Sequence, residues 1–335
     1  MQHKSVLVVG GAGYIGSHVS HGLINQGHKV TILDDLVYGQ KPPPIKAKFI
    51  KGNCQNKDLV KRILNDENID CVVHLASFIE VSQSVLNPQK FYSNNVFGTL
   101  NLLQTMLECN VKKIIFSSSC SVYGVPLGPL NEEHARDPNS PYGRTKCAIE
   151  WMIEDFACAY GIRYTIFRYF NAAGAMPEVG LGEQHEPETH LIPLLIKAML
   201  KDKPVSIFGS DYETPDGTCV RDYVHVRDIA EAHNLAIQRA GSAHKNEVFN
   251  LGTGQGFSVR QIICALEELM GKKALVKEMP RRPGDPPMLV ASAEKAERVL
   301  GWKPQYSLLK RILKDAIKWE RLKNFISEQI CHPRL

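Results

Sequence analysis

Six short apolar runs, at residues 6–9, 30–33, 49–50, 72–75, 114–116 and 164–167, are spaced through the first half of the chain. Amphipathic stretches at about 15–25, 58–65, 91–108 and 142–160 lie between them. A strand that is apolar throughout is buried on both faces, as happens in parallel sheets covered by helices on either side. The alternation therefore predicts a doubly wound parallel α/β sheet. Further on, 227–238 as a helix and 248–251 as a strand ahead of Gly252-Thr253-Gly254 read as a return to that sheet.

At 335 residues, 44% of them hydrophobic, the chain is long enough for two lobes. Beyond Asn171 comes a loop of glycines, acids and histidines (172–190), and proline-rich turns surround 283–287. Pro42-Pro43-Pro44 marks a further exposed loop. The expected division is a sheet domain at 1–170 plus about 224–255, and a smaller mixed α/β substrate-binding lobe at about 171–223 and 256–335. The opening apolar stretch is too short for a signal peptide or a membrane span, so a soluble cytoplasmic protein is expected. Nine scattered cysteines show neither C-x-x-C nor finger spacing and read as reduced packing thiols. A net charge of +5 without a Lys/Arg block gives nucleic-acid binding little support.

The first apolar run enters Gly10-Gly11-Ala12-Gly13-Tyr14-Ile15-Gly16, which satisfies G-x-G-x-x-G through Gly11, Gly13 and Gly16. Such a turn can arise merely to reverse the chain. Set between a strand and a helix, with a second strand ending in Asp34, it points to a dinucleotide whose pyrophosphate meets backbone amides at a helix start. Asp34 would accept from both adenosine-ribose hydroxyls and repel a 2'-phosphate, favouring NAD; the plain alternative is a loop cap.

A fifth strand would run into Ser117-Ser118-Ser119-Cys120-Ser121, placing hydroxyls at the edge where open α/β sheets bind ligands. Tyr142 and Lys146, four apart, share a helix face. A free phenol titrates near 10, and bringing it to 7 takes about 4 kcal/mol of phenolate stabilisation, which a neighbouring ammonium and a nicotinamide cation could supply. Ser119 would donate or relay a hydrogen bond at the reacting oxygen. Neither G-x-S-x-G nor H-E-x-x-H occurs, and no Cys/His set suggests a metal, so none is expected. His18 and His21 read as packing or solvated residues; His185 and His190 sit in the lobe loop.

In this order the motifs resemble the extended short-chain dehydrogenase/reductases, and within them the UDP-glucose 4-epimerase family. The resemblance spans nearly the whole chain. Its landmarks are Gly10 to His18, Asn94 to Thr99, Ser117 to Gly124, Ser140 to Lys146, Arg168 to Asn171, His190 to Pro193, Asp216 to Val226 and Arg281-Arg282-Pro283-Gly284-Asp285. It implies a Rossmann domain holding tightly bound NAD through Gly10, Gly13, Tyr14, Ile15 and Gly16, with Asp34, Asp35 and Asn53 toward adenosine. Leu75, Ala76, Asn94, Ser117 and Tyr169 would join Tyr142 and Lys146 as further cofactor contacts. Tyr142 would take the sugar 4-hydroxyl proton as C4 yields hydride, and the 4-keto sugar would turn and be reduced on its other face. Ser119, Ser121, Asn171, His190 and Leu191 would meet substrate, Ser206 to Phe208 would pack on uracil, Arg221 and Arg282 would face the diphosphate, and Asp285 the nucleotide ribose. A homodimer through the helices near 91–108 and 142–160 is implied as well.

Leu289 stands where some members carry a bulky tyrosine near the sugar C2 substituent and others a small residue, leaving N-acetylamino sugars open. Asn53 replaces a common aspartate, and Glu80 lies where some members place a lysine nearby. Three alternatives share the fold. A 4,6-dehydratase would need an acid and a base where Cys120 and Ser121 stand. A UDP-glucuronate 4-epimerase or decarboxylase differs in its C6 contact. A non-catalytic NAD-binding regulator would have no use for Tyr142, Lys146 and Ser119 together.

Overall fold

The computed structural model describes residues 3–38, 42–125, 128–239, 245–282 and 285–331, with side chains as far as Phe325. Pro283, Gly284 and the Cys331 thiol lie outside the described residues. Six strands come first: β1 (Ser5–Val9), β2 (Lys29–Asp34), β3 (Lys48–Lys51), β4 (Cys71–His74), β5 (Lys113–Ser119) and β6 (Arg163–Tyr169). Three more follow, β7 (Asn171–Ala173), β8 (Val205–Phe208) and β9 (Val220–His225), before β10 (Glu247–Leu251) returns to the first sheet. The main sheet is parallel throughout, in the order β10-β6-β5-β4-β1-β2-β3.

β1 shows why its residues make this layer. Val6 and Val8 pack on one face with Val19 and Leu23 of helix α1 (Tyr14–Asn25) and with Ile229. Leu7 and Val9 pack on the other with Val60 and Ile63 of α2 (Lys57–Asp66) and with Leu102, Leu103 and Met106. Strand geometry sends alternate side chains to opposite faces, so both sets must be apolar. Each fully buried aliphatic side chain contributes roughly 1.5–3 kcal/mol.

The stretch expected as one helix from 91 to 108 is interrupted. After α3 (Val81–Leu86), α4 (Pro88–Phe91) passes through a π-turn at Tyr92–Phe97 into α5 (Gly98–Glu108). The wider turn carries buried Asn95 inward, where it accepts from Phe78 N at 2.8 Å and donates to Phe78 O at 3.1 Å. α6 (Pro141–Tyr160) begins with Ser140 accepting from Gly143 N at 3.1 Å and Pro141 in the first turn, and Gly161 ends it at φ 69°.

The remaining chain forms α7 (Leu191–Leu200), α8 (Val226–Arg239), β11 (Gly256–Ser258), α9 (Val259–Met270), β12 (Val276–Met279), β13 (Met288–Leu289) and α10 (Leu309–Cys331). β7, β9, β11 and β13 make a small second sheet, and β8 pairs with β12. Ile192, Leu195, Ile262, Leu266, Ile312 and Leu313 form a separate core among α7, α9 and α10. Ala296, Leu300 and Trp302 instead join the α1/α8 side of the main sheet, and Trp302 Nε1 donates to Asp228 O at 2.7 Å. No described helix is long and apolar enough to cross a membrane.

Candidate active site

Strand order reverses between β1 and β4, so their connections leave in opposite directions and open a cleft at the strands' C-terminal ends. Its volume, about 1370 Å³, exceeds the roughly 300–1,000 Å³ typical of a single small-ligand pocket. Every cofactor and substrate contact implied by the family resemblance lines this one cavity, while Gly11 of the glycine motif does not.

At the first arm the turn from β1 into α1 is tightly wound. Gly10 has φ +82°, and a Cβ on Gly16 would sit 2.0 Å from Gly10 O, so helix and loop meet only because that residue has no side chain. Gly13 differs: a Cβ there would meet nothing nearer than Gly10 O at 3.4 Å. The fold tolerates a methyl at that position, so what its absence leaves clear is the space in front of the helix. No side chain caps α1. Its first amides face the cleft as a site for an anion, which fits a dinucleotide pyrophosphate.

Asp34 is held by amides from two turns, its Oδ2 accepting from Ala12 N of the glycine turn at 2.9 Å and its Oδ1 from Leu36 N at 2.8 Å. Burial lifts its carboxyl above the usual range. Asn53 Nδ2 donates to Asp35 Oδ2 at 2.7 Å, while its Oδ1 already accepts from Gln55 N at 2.9 Å and keeps one lone pair. Leu75 and Ala76 give their amides to Val9 O and wall the cleft. Asn94 donates to Asn95 Oδ1 at 3.1 Å. Two tyrosines turn their hydroxyls aside: Tyr14 donates to Gly174 O at 2.6 Å, and Tyr169 pairs with His233 Nε2 at 2.9 Å.

Tyr142 and Lys146 lie buried side by side on α6, but the ammonium does not bond the phenol. Lys146 Nζ donates to Ser77 Oγ and Ser117 O, both at 2.8 Å, and lies 5.8 Å from the Tyr142 ring centroid. Burial raises the Tyr142 phenol well above 10, offset in part by a hydrogen bond from Ser119, and burial lowers Lys146 to about 7. The ammonium alone therefore does not bring the Tyr142 phenol toward neutral pH. Each group is desolvated, and desolvation disfavours both charged forms. A further positive charge over the phenol is what this pair lacks, and a nicotinamide cation fits that need.

The opposite arm belongs to the lobe. Arg282 lies over Phe208 with 4.0 Å from guanidinium carbon to ring centroid, joining a cation to the flat surface on β8 that also carries Ser206. Arg221 and Asp285, expected to serve separate parts of a nucleotide, are paired with each other, and Arg221 also donates to Val220 O at 2.8 Å. Leu289 is buried and pairs in register with Arg221. Asn171 opens β7 and Leu191 opens α7, both on the cleft wall. Ser121 Oγ lies 3.2 Å from Ser119 Oγ, within hydrogen-bond distance. Burial pushes the Cys120 thiol up to about 11, so it makes a poor acid for eliminating water.

One group went unnoticed in the sequence. Glu183, His185, Glu188 and His190 bring one ligand-type atom each to within 4.8 Å of one another. Burial disfavours charge here, yet the imidazoles hold the Glu183 carboxyl below its usual range and Glu183 holds His190 above its own. The signal was present as E-x-H-x-x-E-x-H, a spacing outside the familiar helical and finger patterns.

Residues 6–252 match the NAD dependent epimerase/dehydratase family. The UDP-glucose 4-epimerase of Halalkalibacterium halodurans is 44% identical over 319 residues, covering 95% of this chain and 96% of that protein. The crystal structure of UDP-glucose 4-epimerase from Brucella ovis in complex with NAD superposes with a TM-score of 0.91 at 43% identity, covering 94% of this chain and 97% of that one. The Bifidobacterium longum enzyme in complex with NAD+ and UDP gives 0.91 at 36% identity, covering 96% and 99%. This chain belongs to the NAD dependent epimerase/dehydratase family and, within it, to the UDP-glucose 4-epimerase group.

Proposed function

We propose that the chain interconverts UDP-glucose and UDP-galactose by NAD-dependent inversion at C4. The observation that carries this reading is the position of Tyr142 and Ser119 between two unlike arms of one cleft, a glycine-turn cradle on one side and a cation-bearing aromatic platform on the other. NAD, seated against Gly13, Asp34 and Lys146, would accept hydride from the sugar C4 and return it to the opposite face of the 4-ketone. Tyr142 takes the 4-hydroxyl proton and later gives it back, Ser119 steadies the oxygen, and Lys146 supplies positive charge on the same helix. Arg282, Phe208, Arg221 and Asp285 hold the UDP end, while Ser121, Asn171, His190, Leu191 and Leu289 border the sugar. Holding UDP tightly and the hexose loosely is what permits the 4-keto sugar to turn over.

The same reading assigns residues 1–170 plus about 224–255 to the NAD-binding domain, with Ala296–Trp302 packed against it, and the rest to the nucleotide-sugar lobe. NAD retained through turnover agrees with the deep cradle. Exposed Tyr92, Phe97 and Trp151 along the π-turn and α6 support a homodimer. The unpaired thiols among the described residues agree with a reducing, cytoplasmic setting. Leu289, intermediate in size, supports acceptance of N-acetylamino sugars as well.

Purified protein incubated with UDP-galactose, UDP-N-acetylgalactosamine or UDP-glucuronate without added NAD, with products resolved by chromatography, tests this directly. UDP-glucose should form from the first, and Tyr142→Phe should abolish it. No conversion of any sugar even with NAD supplied would refute the reading.

A further inference from the structure

The loop between β7 and α7 carries a group that the redox chemistry does not use. Two imidazole nitrogens converge on one carboxylate oxygen: His185 Nδ1 lies 3.0 Å from Glu183 Oε1, and His190 Nδ1 is hydrogen-bonded to that same atom. A second carboxylate approaches the same imidazole, with Glu188 Oε1 3.8 Å from His190 Nδ1. The two glutamate side chains are each 5% exposed and His185 is 11% exposed, while His190 is 43% exposed, so the carboxylates are shielded and the group opens to water only on the His190 side. Lone pairs brought this close require either protons or a cation among them.

The frame behind these atoms is fixed. Glu183 O accepts from Trp319 Nε1 at 2.8 Å and from Lys323 Nζ at 2.9 Å, both on α10. Glu188 Oε1 accepts from Thr189 N at 3.0 Å and His190 N at 3.1 Å, and its Oε2 meets Lys197 Nζ at 3.3 Å. Backing contacts of this kind orient metal ligands and set their basicity.

We propose that Glu183, His185, Glu188 and His190 bind one divalent transition metal, with zinc as the best match. Two imidazoles and two carboxylates form a donor set suited to Zn²⁺, which holds such ligands tetrahedrally at about 2.0–2.2 Å. That places ligand atoms roughly 3.3–3.6 Å apart, within the span already present here, so small side-chain shifts suffice. Four protein ligands close the coordination shell, which makes the site structural. Binding displaces the Nδ1 protons and ties this loop to α10 through the backing contacts. His185, Thr189 and His190 line the main cleft, so the metal fixes the cleft wall beside Tyr38 and Glu80. The site stands whether or not the chain is an epimerase.

The full chain, freed of any affinity tag, is dialysed against a chelator and then titrated with Zn²⁺ by calorimetry and with Co²⁺ by visible absorption, with Tm read in parallel. One metal per chain, a tetrahedral Co²⁺ spectrum bleached by Zn²⁺, and a raised Tm are expected. His185→Asn and His190→Asn, each of which keeps Glu183 hydrogen-bonded, should each weaken binding by more than the roughly 10–100-fold lost with a backing residue. Absence of binding to the wild type, or equal binding by both variants, would overturn the assignment.

Discussion

Replacing Lys146 with methionine probes the electrostatic part of the proposed chemistry, because the side chain keeps nearly its volume and loses its charge together with two hydrogen bonds. The ammonium lies 5.8 Å from the Tyr142 ring centroid. At an effective dielectric of about 20, unit charges at that distance interact by about 3 kcal/mol, equal to about two pKa units on the phenol, or roughly 100-fold in the phenolate fraction at fixed pH. Removing Nζ also leaves Ser117 O and Ser77 Oγ without their partner, at about 1–3 kcal/mol of stability. Steady-state turnover of UDP-galactose across pH, with bound NAD and Tm measured on the same sample, separates these effects. Because burial lowers Lys146 to about 7, the full charge is present only below neutral pH, where a folded, NAD-loaded Lys146→Met should lose up to roughly 100-fold in kcat and the acid limb of its profile should move up by at most about two units. A limb that stays in place, or a kcat within a few fold of the wild type at full NAD occupancy, would refute the electrostatic role.

Gly13→Ala should leave folding stability within about 0.5 kcal/mol, since the added methyl meets nothing inside 3.4 Å, while NAD affinity falls at least about tenfold; equal affinity in a titration would remove the pyrophosphate from that turn. Arg282→Ala should raise KM for UDP-sugars far more than it lowers kcat, with Arg282→Lys recovering only part because an ammonium cannot make the planar fork. An unchanged KM would detach Arg282 from the nucleotide. Buried His18, His74 and His233 are held at about 3, 3 and 4 by loss of hydration. Unfolded histidines titrate near 6.5, so the unfolded chain binds more protons below that pH, and stability present above 6.5 is lost on acidification. Denaturant melts should show about 2 kcal/mol lost per histidine between pH 7 and 5, and a flat profile there would contradict their burial.

The main sheet was legible because full burial leaves an unmistakable mark: runs such as 6–9 and 114–116 must be apolar on both faces, and 248–251 signalled the return of β10 by the same means. β7, β11 and β13 were not legible, because two or three residues cannot display an alternation. The π-turn at Tyr92–Phe97 escaped for a different reason. An i→i+5 turn leaves the flanking helical spacing nearly unchanged, and the buried contacts of Asn95 are what reveal the extra residue. At the site, residue identities were readable but pairings were not. The Arg221–Asp285 pair spans 64 positions and the Lys146–Ser77 bond 69, separations that no local pattern encodes. The Glu183 to His190 group was local, yet its meaning depends on the chain folding back so that two imidazoles meet one oxygen.

The most direct test of the account follows one atom. UDP-galactose bearing deuterium at C4 of the hexose is converted in ordinary water by the purified protein, and the product is read by NMR and mass spectrometry. The account predicts UDP-glucose that keeps its deuterium at C4, because the same carbon-bound hydride leaves and returns without exchanging with water while Tyr142 handles only the proton on oxygen. Product in which solvent hydrogen has replaced that deuterium would contradict it.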